Sequence, residues 1–276
     1  MIFDVLTIFP GMFASPMRES ILGKALERNL VAIRLHNIRD FAADKHQMTD
    51  DRPFGGGEGM VMKPEPMVAA LESVLADGPP ARVVLLTPQG RLFSQESARE
   101  LARCPRVVLL CGRYEGVDER VAQHFVDDEL SLGDFILTGG ELAAMVVIDV
   151  VTRLLPGVLG NAASAEVESF AELVLECPQY TRPQVFRGHA VPDVLLSGNH
   201  QTIRKWRRGQ ALLRTQLRRP DLFARLKLDA QDVTLLAQAR QEGIKETMGL
   251  GIARTKGPTS STVSGAGTSP GGESPP

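Results

Sequence analysis

The sequence is poor in cysteine, with only Cys104, Cys111 and Cys177 among 276 residues. Three is an odd number, and no two of these residues have the CxxC spacing of a metal-binding or redox pair. The cysteine content therefore argues against both a disulfide framework and a cysteine-based zinc site. Because free thiols persist in a reducing compartment, we expect a cytoplasmic protein.

Long apolar runs and an excess of positive charge are also missing. No uninterrupted apolar segment reaches about 18 residues, so we expect no membrane span. The apolar start MIFDVLTIFPGMF contains Asp4 and has no basic region before it, so we interpret it as a strand and not as a signal peptide. The formal net charge of -2 gives no overall attraction to nucleic acid, and any RNA binding must come from a local basic surface.

The glycine motifs of phosphate binding are absent as well, since neither the GxxxxGK order nor the GxGxxG order occurs. Three glycine-bearing loops with apolar runs are present instead, in RVVLLTPQG, RVVLLCGRYEG and SLGDFILTGGEL. Glycine lets the main chain approach a ligand and expose its N–H and C=O groups. Such loops suit a planar heterocycle such as adenine, although the same glycines can be ordinary turn formers.

Two of the apolar runs predict a pair of buried parallel strands. Val83–Leu86 and Val107–Leu110 are continuous aliphatic segments, which is typical of strands covered on both faces. Ser94–Arg103 between them has helical character, with Ser94 as the N-cap. A strand, a crossover helix and a second strand predict an α/β fold with a parallel sheet.

The geometry of this unit places the glycine loops together. Thr87–Gly90 and Cys111–Gly116 follow the two predicted strands, so they lie at the same edge of the sheet. The run Phe135–Leu137, followed by Gly139 and Gly140, brings a third loop to that edge. Open α/β sheets bind ligands outside the carboxyl ends of their strands, so we expect the functional site here.

The rest of the chain indicates two domains, a linker and a tail. DDRPFGGGEGM at residues 50–60 is too long and flexible for a tight turn and predicts a mobile active-site loop, with a simple connector as the alternative. Further elements are predicted at Ile2–Phe9 (strand) and at Arg18–Asn29, Lys63–Ala76, Glu141–Leu155 and Gln231–Met248 (helices). We divide the chain into an α/β domain at 1–158, a flexible linker at 159–170, a helical domain at 171–254 and a disordered tail at 255–276.

A local basic surface is predicted in the second domain. Between Arg204 and Lys227, nine arginines and lysines face the single acid Asp221. Leucines supply an apolar face, so the basic side chains can point outward and contact phosphates. An ordinary solvated helix face explains the same charges without RNA.

The blocks LLTPQG, LLCGRYEGVDERV and SLGDFILTGGELAAM together resemble the signature of the bacterial tRNA (guanine-N1)-methyltransferases, a SPOUT-class family of S-adenosylmethionine enzymes. The resemblance continues through TIFPGMF, DDRPFGGGEGMVMKPEP, RLLPGVLGNAASAEVESF, CPQYTRPQVFRG and IRKWRRGQALLRT, and ends near Leu226. It implies a SPOUT-type parallel sheet with a deep trefoil knot, followed by a small all-helical C-terminal domain. It also implies a homodimer with a composite active site.

The implied reaction is methyl transfer from S-adenosyl-L-methionine to N1 of the guanosine at tRNA position 37, next to the anticodon. Magnesium is a further expectation, although the sequence indicates no ligand cluster. By resemblance, main-chain groups of the three loops hold the cofactor. The residues that match the family's cofactor site are Leu85, Leu86, Thr87, Pro88, Gln89, Gly90, Gly112, Tyr114, Gly116, Ser131, Leu132, Gly133, Asp134, Phe135, Ile136, Leu137, Gly139 and Gly140.

Guanine N1 carries a proton at neutral pH, so the reaction requires a base and a cation that stabilises charge on O6. The resemblance assigns the base to Glu168, where the family commonly has aspartate, and the cation to Arg153. It assigns Glu115 to the flipped guanine. Taken alone, Arg153 is better explained as a cation at a helix C-terminus, and Glu166 or Glu176 is an alternative base.

Two other functions stay open at this point. One is a SPOUT methyltransferase that acts on another RNA site, and the other is a non-catalytic RNA-binding relative. The intact glycine loops favour an enzyme over the second of these.

Overall fold

The computed structural model of the chain describes residues 1–159, 169–170 and 173–249. Contacts divide the chain into two compact units. The first comprises Met1–Glu176 with Arg218–Leu226, and the second comprises Cys177–Leu217 with the chain from Lys227 onward. Most of the predicted linker and all of the predicted tail lie outside the described residues, so the boundaries at 158, 171 and 255 stay predictions.

The first unit is built on a parallel sheet, as predicted. Its strands are β1 (Ile2–Thr7), β2 (Ala32–Asn37), β5 (Arg82–Leu92), β6 (Arg106–Cys111) and β7 (Asp128–Ser131). They lie side by side in the order β2-β1-β6-β5-β7, and every neighbouring pair is parallel. Two further short strands, β3 (Asp50–Asp51) and β4 (Val61–Met62), form a separate antiparallel pair.

Helices cover both faces of the sheet. They are α1 (Ser20–Glu27), α2 (Pro64–Leu75), α3 (Gln95–Ala102), α4 (Glu119–Phe125) and α5 (Glu141–Thr152). One hydrophobic core joins α1, α3 and α5 to the sheet, and a second core joins α2 and α4 to its other face. All six residues of β6 are buried, which confirms the prediction of a strand covered on both sides.

The crossover between β5 and β6 is also confirmed. Ser94 caps α3, because its Oγ accepts a hydrogen bond from the N–H of Ser97 at 3.2 Å. Residues 82–86 and 107–111 pair in parallel register, with Leu85 opposite Leu110. The aliphatic runs and the capping serine are local features of the sequence, and they were sufficient to predict this strand–helix–strand unit.

The third apolar run does not form a strand. Phe135 and Ile136 are 54% and 81% exposed and belong to the loop itself. The strand before that loop is the polar segment DELS at 128–131. Arg82 and Arg91 hold it through the carboxylate of Asp128, at 3.2 and 2.8 Å, and the Arg91 guanidinium lowers the pKa of that carboxyl.

The C-terminal part is helical, as predicted, and also contains a short hairpin that we did not predict. Its helices are α6 (Asp193–Leu196), α7 (His200–Arg218), α8 (Pro220–Phe223) and α9 (Ala230–Gly249), and its hairpin strands are β8 (Val185–Phe186) and β9 (His189–Ala190). Gly209 lets α7 approach α9, because a Cβ there would lie 2.8 Å from the carbonyl oxygen of Leu235. Arg208 pairs with Asp232 of α9 at 2.8 Å and lowers the pKa of that carboxyl.

Among the described residues, no helix combines the length and apolar character needed to cross a membrane.

Candidate functional site

The three glycine loops surround one cavity, which lies at the carboxyl ends of β6 and β7 and beside the middle of β5. Its volume is about 400 Å³, which lies within the range of roughly 300–1,000 Å³ typical of small-molecule sites. The predicted meeting of these loops is therefore observed. The parallel order of the three strands is its cause, since parallel strands end at the same edge of a sheet.

The first loop is a bulge inside a strand and not a turn after one. β5 pairs with Leu130 of β7 through Leu86, and then again through Arg91, so residues 87–90 are looped out of the ladder. Gly90 closes the bulge, because a Cβ there would lie 2.4 Å from the carbonyl carbon of Glu129. Both ends of this loop are consequently held by the sheet.

The second loop has a left-handed residue at its centre. Tyr114 has a φ of +60°, which a non-glycine residue adopts only at a cost of about 1–3 kcal/mol. The N–H of Glu115 donates to the carbonyl of Met60 at 2.9 Å. At Gly59 a Cβ would lie 2.3 Å from Oε1 of Glu115. The end of the glycine-rich segment 50–60 is thus tied to the second loop, while the predicted mobility of that segment stays a prediction.

The third loop packs tightly against the second. The N–H of Gly140 donates to the carbonyl of Gly112 at 2.9 Å. A Cβ on Gly140 would lie 2.8 Å from the Cα of Cys111, which is main chain and cannot move aside. Burial raises the pKa of the Cys111 thiol, and the charge of Glu141 raises it further, so this cysteine is a neutral packing residue.

A buried ion pair, which the sequence did not reveal, joins the second and third loops. Glu141, the first residue of α5, is fully buried. Its Oε2 accepts from Arg113 Nη2 at 2.9 Å, and its Oε1 accepts from Thr7 Oγ1 at 2.8 Å. The Arg113 guanidinium also lies 4.5 Å from the ring centroid of Phe9. These contacts connect both loops to the end of β1.

We expect Glu141→Ala to lower the free energy of unfolding by about 3–5 kcal/mol, because it leaves the Arg113 charge without its buried partner. The measurement is chemical denaturation followed by circular dichroism. Glu119→Ala is the matched control, since Glu119 also begins a helix but is exposed, and its loss should cost less than about 1 kcal/mol. Equal losses in the two variants would contradict a structural role for the ion pair.

Most residues predicted to bind the cofactor line the cavity. Those that do are Leu85, Leu86, Thr87, Pro88, Gln89, Gly112, Tyr114, Gly116, Ser131, Leu132, Gly133, Phe135, Ile136, Leu137, Gly139 and Gly140. Glu115 lines it too, whereas Gly90 and Asp134 are not among the lining residues. The prediction omitted nine further lining residues, which are Val61, Arg113, Val117, Glu119, Ala122, Glu129, Leu130, Thr138 and Ala143. Of these, Arg113 and Thr138 lie inside the motifs GRYEG and LTGGEL and could have been found there.

Arg153, predicted to be catalytic, is not among the residues that line this cavity. Arg153 caps the far end of α5, about 18 Å along the helix axis from Glu141. Glu168 lies outside the described residues. Leu142 and Val146 on α5 are 47% and 43% exposed. Arg153 follows Val146 by seven residues, which is about two helical turns, so it lies on the same side of α5 as these two residues.

Within the residues that the structure describes, no group of three or more His, Cys, Asp or Glu side chains is arranged to hold a metal ion. Glu115, Glu119 and Glu129 line the cavity without forming such a group. The described residues therefore do not fit the expected magnesium ion, and no step of the chemistry is assigned to it.

Comparison with known proteins gives a consistent result along the chain. The family described as "tRNA (Guanine-1)-methyltransferase TrmD" matches residues 1–225. A protein of Geobacter sulfurreducens named tRNA (guanine-N(1)-)-methyltransferase is 58% identical over 241 residues, which cover 87% of this chain and 98% of the relative. A protein of Syntrophotalea carbinolica with the same name is 59% identical over 242 residues, covering 88% and 98%.

Proposed function

The chain belongs to the tRNA (guanine-1)-methyltransferase family, and from this we propose that it transfers a methyl group from S-adenosyl-L-methionine to N1 of the guanosine at tRNA position 37, next to the anticodon. The observation that carries the proposal is the cavity formed by the three glycine loops. A tRNA-modifying enzyme works where tRNA matures, so the cytoplasm is the expected compartment.

The cavity suits the cofactor because its walls offer main-chain groups at close range. Gly112, Gly139 and Gly140 have no side chains to block access. The backbone of Thr87–Gln89 is looped out of the ladder, so its carbonyl groups are available to the amino group of an adenine. When bound, S-adenosyl-L-methionine supplies an electrophilic methyl group on its sulfonium sulfur.

The residues of the chain have to prepare the guanine for attack. We assign Glu168 to accept the N1 proton, because a neutral N1 becomes nucleophilic only when that proton leaves. Negative charge then moves onto O6, where the guanidinium of Arg153 stabilises the transition state more than the ground state. Glu115, at the cavity wall, is the contact for the base that has left its stack.

A homodimer explains how Arg153 reaches the reaction. Within one chain it lies about 18 Å from the N-terminus of α5, which borders the cavity. Leu142 and Val146 form an exposed apolar strip on the same side of α5. We therefore propose that α5 lies in a symmetric interface, where the partner subunit provides this arginine to each active site. The deep trefoil knot is part of the same proposal and rests on family membership.

The tRNA would contact the basic surface of α7. Arg204, Arg207 and Arg214 recur at helical spacing, and Arg204 and Arg207 are exposed. Arg208 is different, since it is held by Asp232. The phosphate-binding role therefore belongs to the first three side chains and not to Arg208.

We expect the double substitution Arg204→Ala, Arg207→Ala to weaken tRNA binding and to reduce the salt dependence by roughly one unit of slope for each lost phosphate contact. Affinity is measured by fluorescence anisotropy at several salt concentrations. The matched control is Arg240→Ala on α9, an exposed arginine that donates to Gln216 at 2.6 Å. If the salt dependence of tRNA affinity is unchanged in the double variant, these arginines do not contact phosphates and this helix face is ordinary solvated surface.

The proposed reaction is tested by mass spectrometry of tRNA incubated with the protein and labelled S-adenosyl-L-methionine. The expected product is a single methyl group on N1 of guanosine 37. Methylation at another position of the tRNA would favour the other SPOUT activity. Binding of tRNA without any methylation would favour a non-catalytic relative.

A further inference from the structure

The hairpin of the second unit exposes an aromatic residue beside a cation. Phe186 is the last residue of β8, and 60% of it is accessible to solvent. The Arg187 guanidinium lies 5.3 Å from its ring centroid. Val185, next in the strand, is 55% exposed. Because neighbouring strand residues point to opposite faces, neither face of the hairpin is covered by the described residues.

The turn of this hairpin contains an unfavourable residue. Arg187 and Gly188 connect the strands with φ values of +47° and +80°. Two positive values are the pattern of a type I′ turn, for which Asn-Gly is the preferred pair. Arginine has a Cβ that disfavours the left-handed region, so its use here has a conformational cost, which the contact between its guanidinium and the Phe186 ring offsets in part. Strained positions of this kind cluster at functional sites.

The charge around the hairpin selects the kind of partner. Twelve consecutive residues, 179–190, are exposed. They include Arg182, Arg187 and His189 but no aspartate or glutamate, although the whole chain has a net charge of -2. An anionic partner with flat apolar surfaces matches both the cations and the ring. Unpaired RNA has these properties, because its bases have π-faces and its backbone carries phosphates.

The hairpin is also continuous with the basic helix of its own unit. Tyr180, 48% exposed, precedes it in the same acid-free segment. Its ring lies 6.5 Å from the ring of Trp206, and Trp206 is on α7 next to Arg207. A nucleic acid that contacts α7 is therefore close to the segment that leads into the hairpin.

We propose that Phe186 and Arg187 form a stacking site for an unpaired base of the tRNA, outside the methyl-transfer cavity. The ring provides the platform, and the guanidinium contacts the adjacent phosphate or the base face. The proposal rests on the proposed function, since it assumes that tRNA is the substrate. It adds a contact that positions the RNA without touching the reacting atoms.

The first test compares Phe186→Ala with Val185→Ala by anisotropy, using transcribed substrate tRNA. Loss of one base–aromatic stack should weaken binding roughly five- to hundredfold and leave the salt slope unchanged. Val185→Ala removes similarly exposed apolar surface without an aromatic ring and should stay within about twofold. Wild-type affinity in Phe186→Ala, or equal losses in both variants, would overturn the stacking site.

The second test is Arg187→Asn, which creates the Asn-Gly pair that the turn prefers. We expect an equal or higher thermal midpoint together with weaker tRNA binding and a salt slope smaller by about one. This combination separates a functional arginine from a structural one. Wild-type tRNA affinity and slope in this variant would overturn the assignment of Arg187.

Two further readouts keep this proposal distinct from the proposed function. Calorimetric titration with S-adenosylhomocysteine should give the same affinity in all hairpin variants. If the wild-type protein neither binds nor methylates tRNA, the proposed function fails and the hairpin assignment fails with it. The other outcome is that the wild-type protein binds and methylates tRNA while Phe186→Ala changes only the oligomeric state in solution. In that case the hairpin is a protein–protein contact, and only the stacking site is overturned.

Discussion

Replacing Gly140 by valine should abolish binding of S-adenosyl-L-methionine. A Cβ at this position would lie 2.8 Å from the Cα of Cys111 and 3.2 Å from the N of Gly112. Both atoms are main chain, so the third loop would have to move away from the second. That movement would break the hydrogen bond between Gly140 N–H and the Gly112 carbonyl and change the width of the cavity. The effect arises from loop packing, since Gly140 has an ordinary φ of -75°.

Calorimetric titration with S-adenosylhomocysteine measures this effect, and circular dichroism establishes that the variant is folded. Gly140→Ala isolates the clash of the Cβ alone and should already weaken binding strongly. Gly11→Ala is the control, because no heavy atom lies within 4 Å of the added carbon. A folded Gly140→Val protein with wild-type affinity would show that the cofactor does not depend on this loop junction.

Glu168→Gln should slow methyl transfer by about two to four orders of magnitude in a single turnover, which is the usual contribution of a general base. Glutamine retains the size and most hydrogen bonds of the side chain but cannot accept the N1 proton. Affinities for tRNA and for S-adenosylhomocysteine should change little, because the defect is confined to the transition state.

Two variants define this assignment more closely. Glu168→Asp should retain substantial activity, since aspartate has the same proton-accepting chemistry, a similar reference pKa and only one methylene less. Glu166→Gln tests the neighbouring carboxylate. If Glu168→Gln transfers the methyl group at the wild-type rate and Glu166→Gln is slow, then Glu166 is the general base. The family assignment is not affected by that result.

The sequence was informative where a structural signal is local. Val107–Leu110 had to be buried on both faces because it lacks any polar alternation, and Ser94 marked the start of α3 because a capping serine acts within three residues. The position of the cavity followed from these elements, since parallel strands direct their following loops to one edge.

Signals that depend on distant partners were not visible. The segment DELS contains too much charge to be predicted as a strand. It fits into the sheet because Arg82 and Arg91, more than 30 positions earlier in the chain, donate hydrogen bonds to the carboxylate of Asp128. Glu141 was predicted only as the first residue of a helix, whereas its buried contacts come from Thr7 and Arg113. Arg208 was counted with the basic surface because its pairing with Asp232 exists only after α7 and α9 pack.

The bulge in β5 has a thermal consequence. Residues 87–90 leave the ladder after Leu86 and rejoin it at Arg91, so both ends of the first loop are anchored in β-structure. A loop anchored at both ends in this way unfolds together with the strands that hold it. The loop loses its conformational entropy when the protein folds, so little further entropy is lost when a ligand binds. On gradual heating, the first loop should therefore stay ordered until β5 and β7 separate, so that its melting and the unfolding of the sheet occur at one temperature.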